Sequence, residues 1–324
     1  MPEHDSVPEN SNPPVFRPYR RSLVANLLIL TGLVLMGLFV GQLVGMVLAQ
    51  LTTGLAFAQL PDVLTHPSRY PGAWSALMWL QAGSSVGGFI AAPLLFWVLF
   101  EKRRITDFAA ESAPAGVVWP LVLLLVVLAF PFNGWVYELN QQLDLPPALQ
   151  GVEDWMKAKE DSLDDLTKFL TAFGQPWQLV VGLLVVAAIP AVGEELLFRG
   201  VVQNLLRETF RNVHVAVWVS AALFSAIHFQ FYGFLPRMLL GALFGYLYAW
   251  TRDLRVAMFA HFVNNGATLV MVYLFRQKVV DFDVENTESV PVFAALLSLA
   301  VTLGLLRLVW RSVSPVSPPR FTRT

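Results

Sequence analysis

The sequence predicts an all-α, polytopic integral membrane helical bundle of about eight transmembrane helices with both termini cytoplasmic, and three observations carry that prediction. Hydrophobic residues make up 56% of the 324 positions and charged residues only 14%, against about a quarter charged in an ordinary soluble domain. So little charge leaves too little polar surface to cover a globule of this size. The apolar residues are gathered into runs, and about 20 such residues, rising 1.5 Å each, cross a hydrocarbon core about 30 Å thick. The basic residues fall between alternate runs, as the enrichment of Lys and Arg in cytoplasmic loops requires. With 22 basic and 23 acidic residues, the composition excludes nucleic-acid binding through a basic face. The absence of cysteine excludes disulfides, thiolate metal sites and a cysteine nucleophile.

In chain order, the expected spans are Leu23 to Ala49, Trp74 to Phe100 and Val117 to Tyr137, all free of charge; Trp177 to about Leu206, interrupted by charges; Val213 to Phe229; Phe234 to Trp250; Val256 to Phe275; and Val292 to Trp310. With the N-terminus inside, 15 of the 22 basic residues lie in cytoplasmic segments, among them Arg21, Lys102, Arg103, Arg104, Arg207, Arg211, Arg252 and Arg255. Residues 1–20 and 312–324, rich in Pro and Ser, are expected to be disordered cytoplasmic tails around a membrane domain at 21–311. The first apolar run is too long for a signal peptide, and the cell membrane is the expected location. The outer segment from Glu138 to Pro176 carries eight acids and three lysines. Within it, residues 152–173 space Trp155, Leu163, Leu166 and Phe169 as an amphipathic helix lying on the outer surface would. Glycines at four-residue spacing (Gly37, Gly41 and Gly45; Gly83 and Gly87; Gly241 and Gly245) let helix backbones approach closely. Packing within the bundle is favoured over a dimer interface, and the oligomeric state is left open.

Charged and strongly polar side chains at membrane depth cost several kcal/mol. The first three expected spans carry no charge, and the intramembrane charges and histidines gather in later ones. The fourth contains Glu194, Glu195 and Arg199. The i,i+4 spacing pairs Glu195 with Arg199, whereas Glu194, turned about 100° away, has no partner on its own helix. Pro190 and Gly193 are expected to kink or restart the helix there. The fifth span carries Phe224 and His228. Glu194 lies 17 residues before Arg211, in the connecting turn, and His228 17 residues after it, so in an antiparallel hairpin both lie at one depth, about 25 Å from the turn. The seventh span carries His261 and Asn265 on one face, with Asn264 off it. His261 is only eight residues beyond Asp253 and reaches that depth only if the turn before it dips into the bundle.

A Glu, two His and an Asn on three helices contain a general base and several hydrogen-bond donors but no nucleophile. Ser225 lies near His228 without a nucleophile elbow. The set fits hydrolysis by an activated water, with a desolvated carboxylate as base and N–H donors for an oxyanion. The same groups could instead hold a catalytic zinc through Glu194, His228 and His261, although the HExxH signature is absent.

Glu194-Glu195-x-x-x-Arg199, Phe224-x-x-x-His228 and His261-x-x-x-Asn265, in that order on successive helices and with the flanking LLFRG and HFVNN, resemble the three motifs of the CPBP family. That family comprises the CAAX prenyl endopeptidases and the bacteriocin-processing, or Abi, intramembrane proteases. The resemblance covers about residues 178–275. It implies a glutamate-dependent intramembrane endopeptidase with a site open toward the cytoplasm. Carried over, Glu194 activates the water with His228 assisting, His261 and Asn265 form the oxyanion pocket, and Glu195, Arg199 and Phe224 support the site. No cofactor is favoured, zinc being the alternative. The implied partners are membrane lipid and a membrane-associated peptide or protein. The rival readings are a catalytically silent scaffold or immunity-type protein and a proton- or ion-coupled transporter, the latter disfavoured because no inverted repeat is visible.

Overall fold

The computed structural model describes residues 21–110, 114–143, 145–281 and 290–313, and contains helices and no strand among them. The helices are α1 (Leu23–Thr53), α2 (Leu60–Thr65), α3 (Ala73–Phe100), α4 (Val118–Gln141), α5 (Gln150–Leu170), α6 (Pro176–Phe210), α7 (Val213–Ala226), α8 (Phe234–Thr251), α9 (Leu254–Arg276) and α10 (Val292–Ser312). Six of them, α1, α3, α4, α6, α9 and α10, are long and apolar enough to cross a membrane. The segments expected as the fifth and sixth spans form the shorter hairpin α7–α8. At 14 residues, α7 is about 21 Å long, well short of the hydrocarbon thickness. The tails expected to be disordered lie outside the described residues, apart from Ser312 and Val313.

All three glycine stripes serve packing within the chain, that of Gly241 and Gly245 against Arg199 and Gln203. Helix α1 lies along α3, and a Cβ on Gly41 would stand 2.1 Å from the Gly83 carbonyl oxygen, one on Gly37 2.2 Å from that of Gly87. Helix α4 pairs with α10. There Ser298 Oγ donates to Leu128 O (2.5 Å) and accepts from the Phe132 N–H (3.2 Å). An undisturbed helix would pair these two groups with each other, but Pro131 between them breaks the ladder.

Helix α6 continues unbroken past Pro190. The helix does not restart there; widened, π-type turns flank the proline: Ile189 N bonds Leu184 O, and Gln203 N bonds Phe198 O, each five residues back. Such turns absorb a proline's missing donor without ending the helix and recur at functional sites. Gly193 acts differently from expectation, as a contact point: a Cβ there would lie 2.8 Å from Phe89 Cβ of α3.

Two tight turns of one design join α6 to α7 and α8 to α9. A left-handed arginine ends the first helix of each (Arg211, φ 54°; Arg252, φ 56°). An Asx side chain then caps the next: Asn212 accepts from the His214 and Val215 N–H groups, Asp253 from that of Arg255. The second turn is sunk into the bundle, as His261 requires. Asp253 is fully buried, and Phe108, from the segment after α3, packs with Leu254 against Gly200. Arg103 pairs with Glu208 and lies 4.7 Å over the Trp97 ring, fastening the same segment to the end of α6.

Candidate functional site

Helix α6, the turn after α7 and helix α9 deliver Glu194, His228 and His261 to one point. Glu194 Oε2 lies 3.9 Å from His228 Nε2 and 3.8 Å from His261 Nε2. The hairpin register that placed Glu194 and His228 at equal depth is therefore what the structure shows. These spacings exceed a direct hydrogen bond but suit one bridging water. The side chains of Glu194 and His228 are 14% and 26% exposed, so both are open to a water-sized molecule.

His228 is not on the helix expected to carry it. Helix α7 stops at Ala226 and His228 sits in the turn beyond. This termination orients the ring. The last carbonyls of a helix lack an internal donor; the His228 N–H goes to Ser225 O, and the imidazole takes Phe224 O at 2.8 Å through Nδ1. A carbonyl only accepts, so Nδ1 carries the hydrogen and Nε2 is left facing Glu194. Ser225 Oγ is itself spent on Phe234 O (2.7 Å) and is buried.

His261 repeats the arrangement. Its Nδ1 lies 2.9 Å from Glu195 Oε1, and a carboxylate beside Arg199 accepts, so Nδ1 again bears the hydrogen. Phe244 stacks on the ring at 5.3 Å and Phe224 meets it edge-on at 5.9 Å. Glu195 Oε1 also accepts from Arg199 Nη1 at 2.8 Å. Both partners are fully buried, which makes the pair costly to break. The guanidinium donates through Nη2 to Gly241 O (2.8 Å) and lies 4.5 Å over the Phe224 ring. Glu195 and Phe224 thus touch His261 directly, and Arg199 touches both of them. Asn265 stands one turn beyond His261, where its Oδ1 accepts from Asn264 Nδ2 at 3.1 Å. The structure gives it no bond to the Glu–His–His group.

Several supporting residues escape sequence reasoning. Gln203 Nε2 donates to Gly245 O (3.1 Å), continuing the Arg199–Gly241 contact one turn on, and Asn204 Nδ2 donates to Tyr248 Oη (2.8 Å). The signal was present as matching i,i+4 spacings, Arg199 with Gln203 and Gly241 with Gly245. Phe244, one aromatic among many in α8, carried no such mark. As to a metal, both histidines donate Nδ1–H to an oxygen acceptor, the usual outer arrangement of zinc-binding imidazoles. Among the described residues, no group of three or more His, Asp or Glu converges tightly enough to form a metal cage.

Residues 176–267, a little more than a quarter of the chain, match the family described as Type II CAAX prenyl endopeptidase Rce1-like. This is the segment that holds all three motifs, and the match supports a CAAX-protease family assignment for it. The chain is also similar to YpbD of Bacillus subtilis (strain 168), described as an uncharacterized protein, with 34% identity over 80 residues. That similarity covers 24% of this chain and 38% of the length of YpbD. No solved structure matches.

Proposed function

We propose that this protein is an intramembrane endopeptidase that hydrolyses a peptide bond of a membrane-associated protein or peptide with a water activated by Glu194. The observation that carries the reading is the convergence of His228 Nε2 and His261 Nε2 on the same oxygen of Glu194.

A water between these atoms gives a proton to the Glu194 carboxylate as its oxygen attacks the scissile carbonyl carbon. The carbonyl oxygen becomes an oxyanion, met by His261 Nε2–H and the Asn265 amide. To donate from Nε2 while Nδ1–H is held by Glu195, His261 carries both protons; Glu195 is already paired with Arg199, so that charge is met by the Glu194 carboxylate before attack and by the oxyanion after it. The proton taken by Glu194 then passes to the leaving amide nitrogen, with His228 assisting, as the C–N bond breaks. Glu195 and Arg199, fully buried, touch neither substrate nor water and act through His261.

The distribution of basic residues supports placing both termini in the cytoplasm and the protein in the cell membrane. Substrate preference is addressed by pairing a farnesylated peptide with its unprenylated twin. Glu194→Gln in purified, reconstituted protein is expected to lower kcat on either substrate by at least ~10³-fold; undiminished turnover sinks the mechanism. The orientation of both Nδ1–H groups favours one second reading, a zinc held by Glu194, His228 and His261, which would supply a Lewis acid at the same point. Stoichiometric zinc in the purified protein, with activity lost to a chelator and restored by zinc, would establish it in place of the metal-free reading.

A further inference from the structure

We propose that Asn140 of α4 and Glu160 of α5, both outside the family-like segment, are positioning residues for His228, gripping the backbone of the 227–233 loop so that Nε2 stays aimed at Glu194. The inference rests on the reading of Glu194 and His228 as proteolytic machinery.

The loop needs holding. Phe229, directly after His228, adopts a left-handed φ of 53°; for a bulky residue this is a strained conformation that persists only where the surroundings impose it. The imposing contacts come from the two helices. Asn140 Nδ2 donates to Phe231 O (3.0 Å), and its Oδ1 accepts the Leu235 N–H (3.1 Å). Glu160 Oε2 accepts the Tyr232 N–H (2.9 Å). Three backbone groups within five residues are thus satisfied by two side chains, and both side chains are buried, at 4% and 6% exposure. A loop fixed only by its own sequence would need neither.

Both grips are anchored elsewhere. Trp155 of α5 lies against Phe231 at 5.5 Å between ring centroids. The far end of α5 is tied to α3, where Trp74 Nε1 donates to Leu170 O at 2.9 Å. The end of α4 is set by the Pro131 interruption, which Ser298 fills from α10. The outer acidic helix, expected as a surface cap, therefore joins the α3 side of the bundle to the loop that carries His228.

The test uses the full chain in nanodiscs and two readouts, amide exchange of the 227–235 segment and the kcat–KM split on a farnesylated peptide. Asn140→Ala and Glu160→Ala are expected to speed exchange at Leu235 and Tyr232 respectively. They should lower kcat about ten-fold or more with KM within about two-fold, since a displacement of ~1 Å can cost ~10²-fold. Glu160→Gln keeps the acceptor and should restore both protection and kcat. Asn140→Asp keeps the acceptor for Leu235 but loses the donor to Phe231, and should fall between. These conservative variants decide the matter if an alanine variant melts. Wild-type exchange in the alanine variants, or faster exchange with unchanged kcat, overturns the proposal. If Glu194→Gln is as active as wild type, the functional reading falls by itself, and exchange alone then decides whether the grip exists.

Discussion

His261 presents one nitrogen to each member of the glutamate pair: Nδ1 lies 2.9 Å from Glu195 Oε1, and Nε2 lies 3.8 Å from Glu194 Oε2. Adjacent residues on one helix are turned about 100° apart, and a single imidazole spans that angle. The two carboxylates are thereby given different work. Glu194 faces a reachable space, while Glu195 is sealed between Arg199 and His261.

The two should separate in mutagenesis. Glu194→Gln is expected to abolish turnover with little change in melting temperature, because its carboxylate makes no close bond. Glu195→Gln leaves the Arg199 cation buried without its counter-charge, and breaking such a pair costs about 3–5 kcal/mol. It should lower both the melting temperature and kcat. Thermal unfolding in detergent beside a peptide-cleavage assay checks the pair; equal melting of the two variants would contradict the division of roles.

Close packing of α1 on α3 predicts a different kind of defect. Gly41→Val places a branched side chain where even a Cβ would stand 2.1 Å from Gly83 O. The helices must part, at a cost of about 1–3 kcal/mol for overpacking. Melting should fall by that much, while KM and the pH profile of residual cleavage stay as in wild type, since none of the site side chains lies on α1.

Much of this was legible in the sequence because the membrane penalises polar groups so heavily. Glu194, Glu195, Arg199, His228 and His261 stand out against apolar runs, and antiparallel register alone placed Glu194 level with His228. The helix ends were less legible. Nothing local announces that α7 ends at Ala226 and leaves His228 in a turn; that end is set by Phe224 O taking the imidazole and by Asn140 and Glu160 holding the loop. The contacts of Asn140 and Glu160 span 91 and 72 residues of chain and leave no periodic trace. Pro190 was legible only in part for a related reason, since a widened turn in α6 accommodates it without restarting the helix.

The approach of α3 to α6 makes Gly193 a lever on the site. A methyl group there meets Phe89 Cβ at 2.8 Å and Ile90 Cγ1 at 3.1 Å, so α6 must shift or rotate beside Glu194. Gly193→Ala is expected to lower kcat by about ten-fold or more, because displacement of the reacting groups is costly, with a melting change of only ~1–3 kcal/mol. Full activity in this variant would show that α3 yields instead, and a second substitution, Phe89→Gly, which removes the Cβ that the methyl meets, should then have no effect on it. If α6 is what moves, Phe89→Gly should restore part of the lost turnover.

Acidity should tighten helix α5. The carboxyls of Glu160 and Asp164 stand above the usual carboxylate range, chiefly because burial penalises their charge. Asp164 raises Glu160 further, while the Tyr232 N–H and Arg237 pull it down; Lys168 and Gln230 pull Asp164 down, and Asp161 and Asp165 raise it. Lys157, Tyr137 and Asp161 also face this space, a cavity of about 310 Å³ between α4 and α5. A carboxyl whose folded-state pKa is raised holds its proton more tightly in the folded arrangement. Its contribution to stability is complete below the unfolded value of about 4 and is lost as the pH rises through the raised one. Protonated Glu160 still offers an oxygen to Tyr232. Exchange protection of α5 and of the Tyr232 amide, corrected for intrinsic rates, should therefore fall as the pH is raised from 5 to 8. In Glu160→Gln/Asp164→Asn it should stay high and nearly flat. Protection that instead rises with pH would mean that the ionised carboxylates, held by Arg237 and the loop amides, are what keep α5 in place.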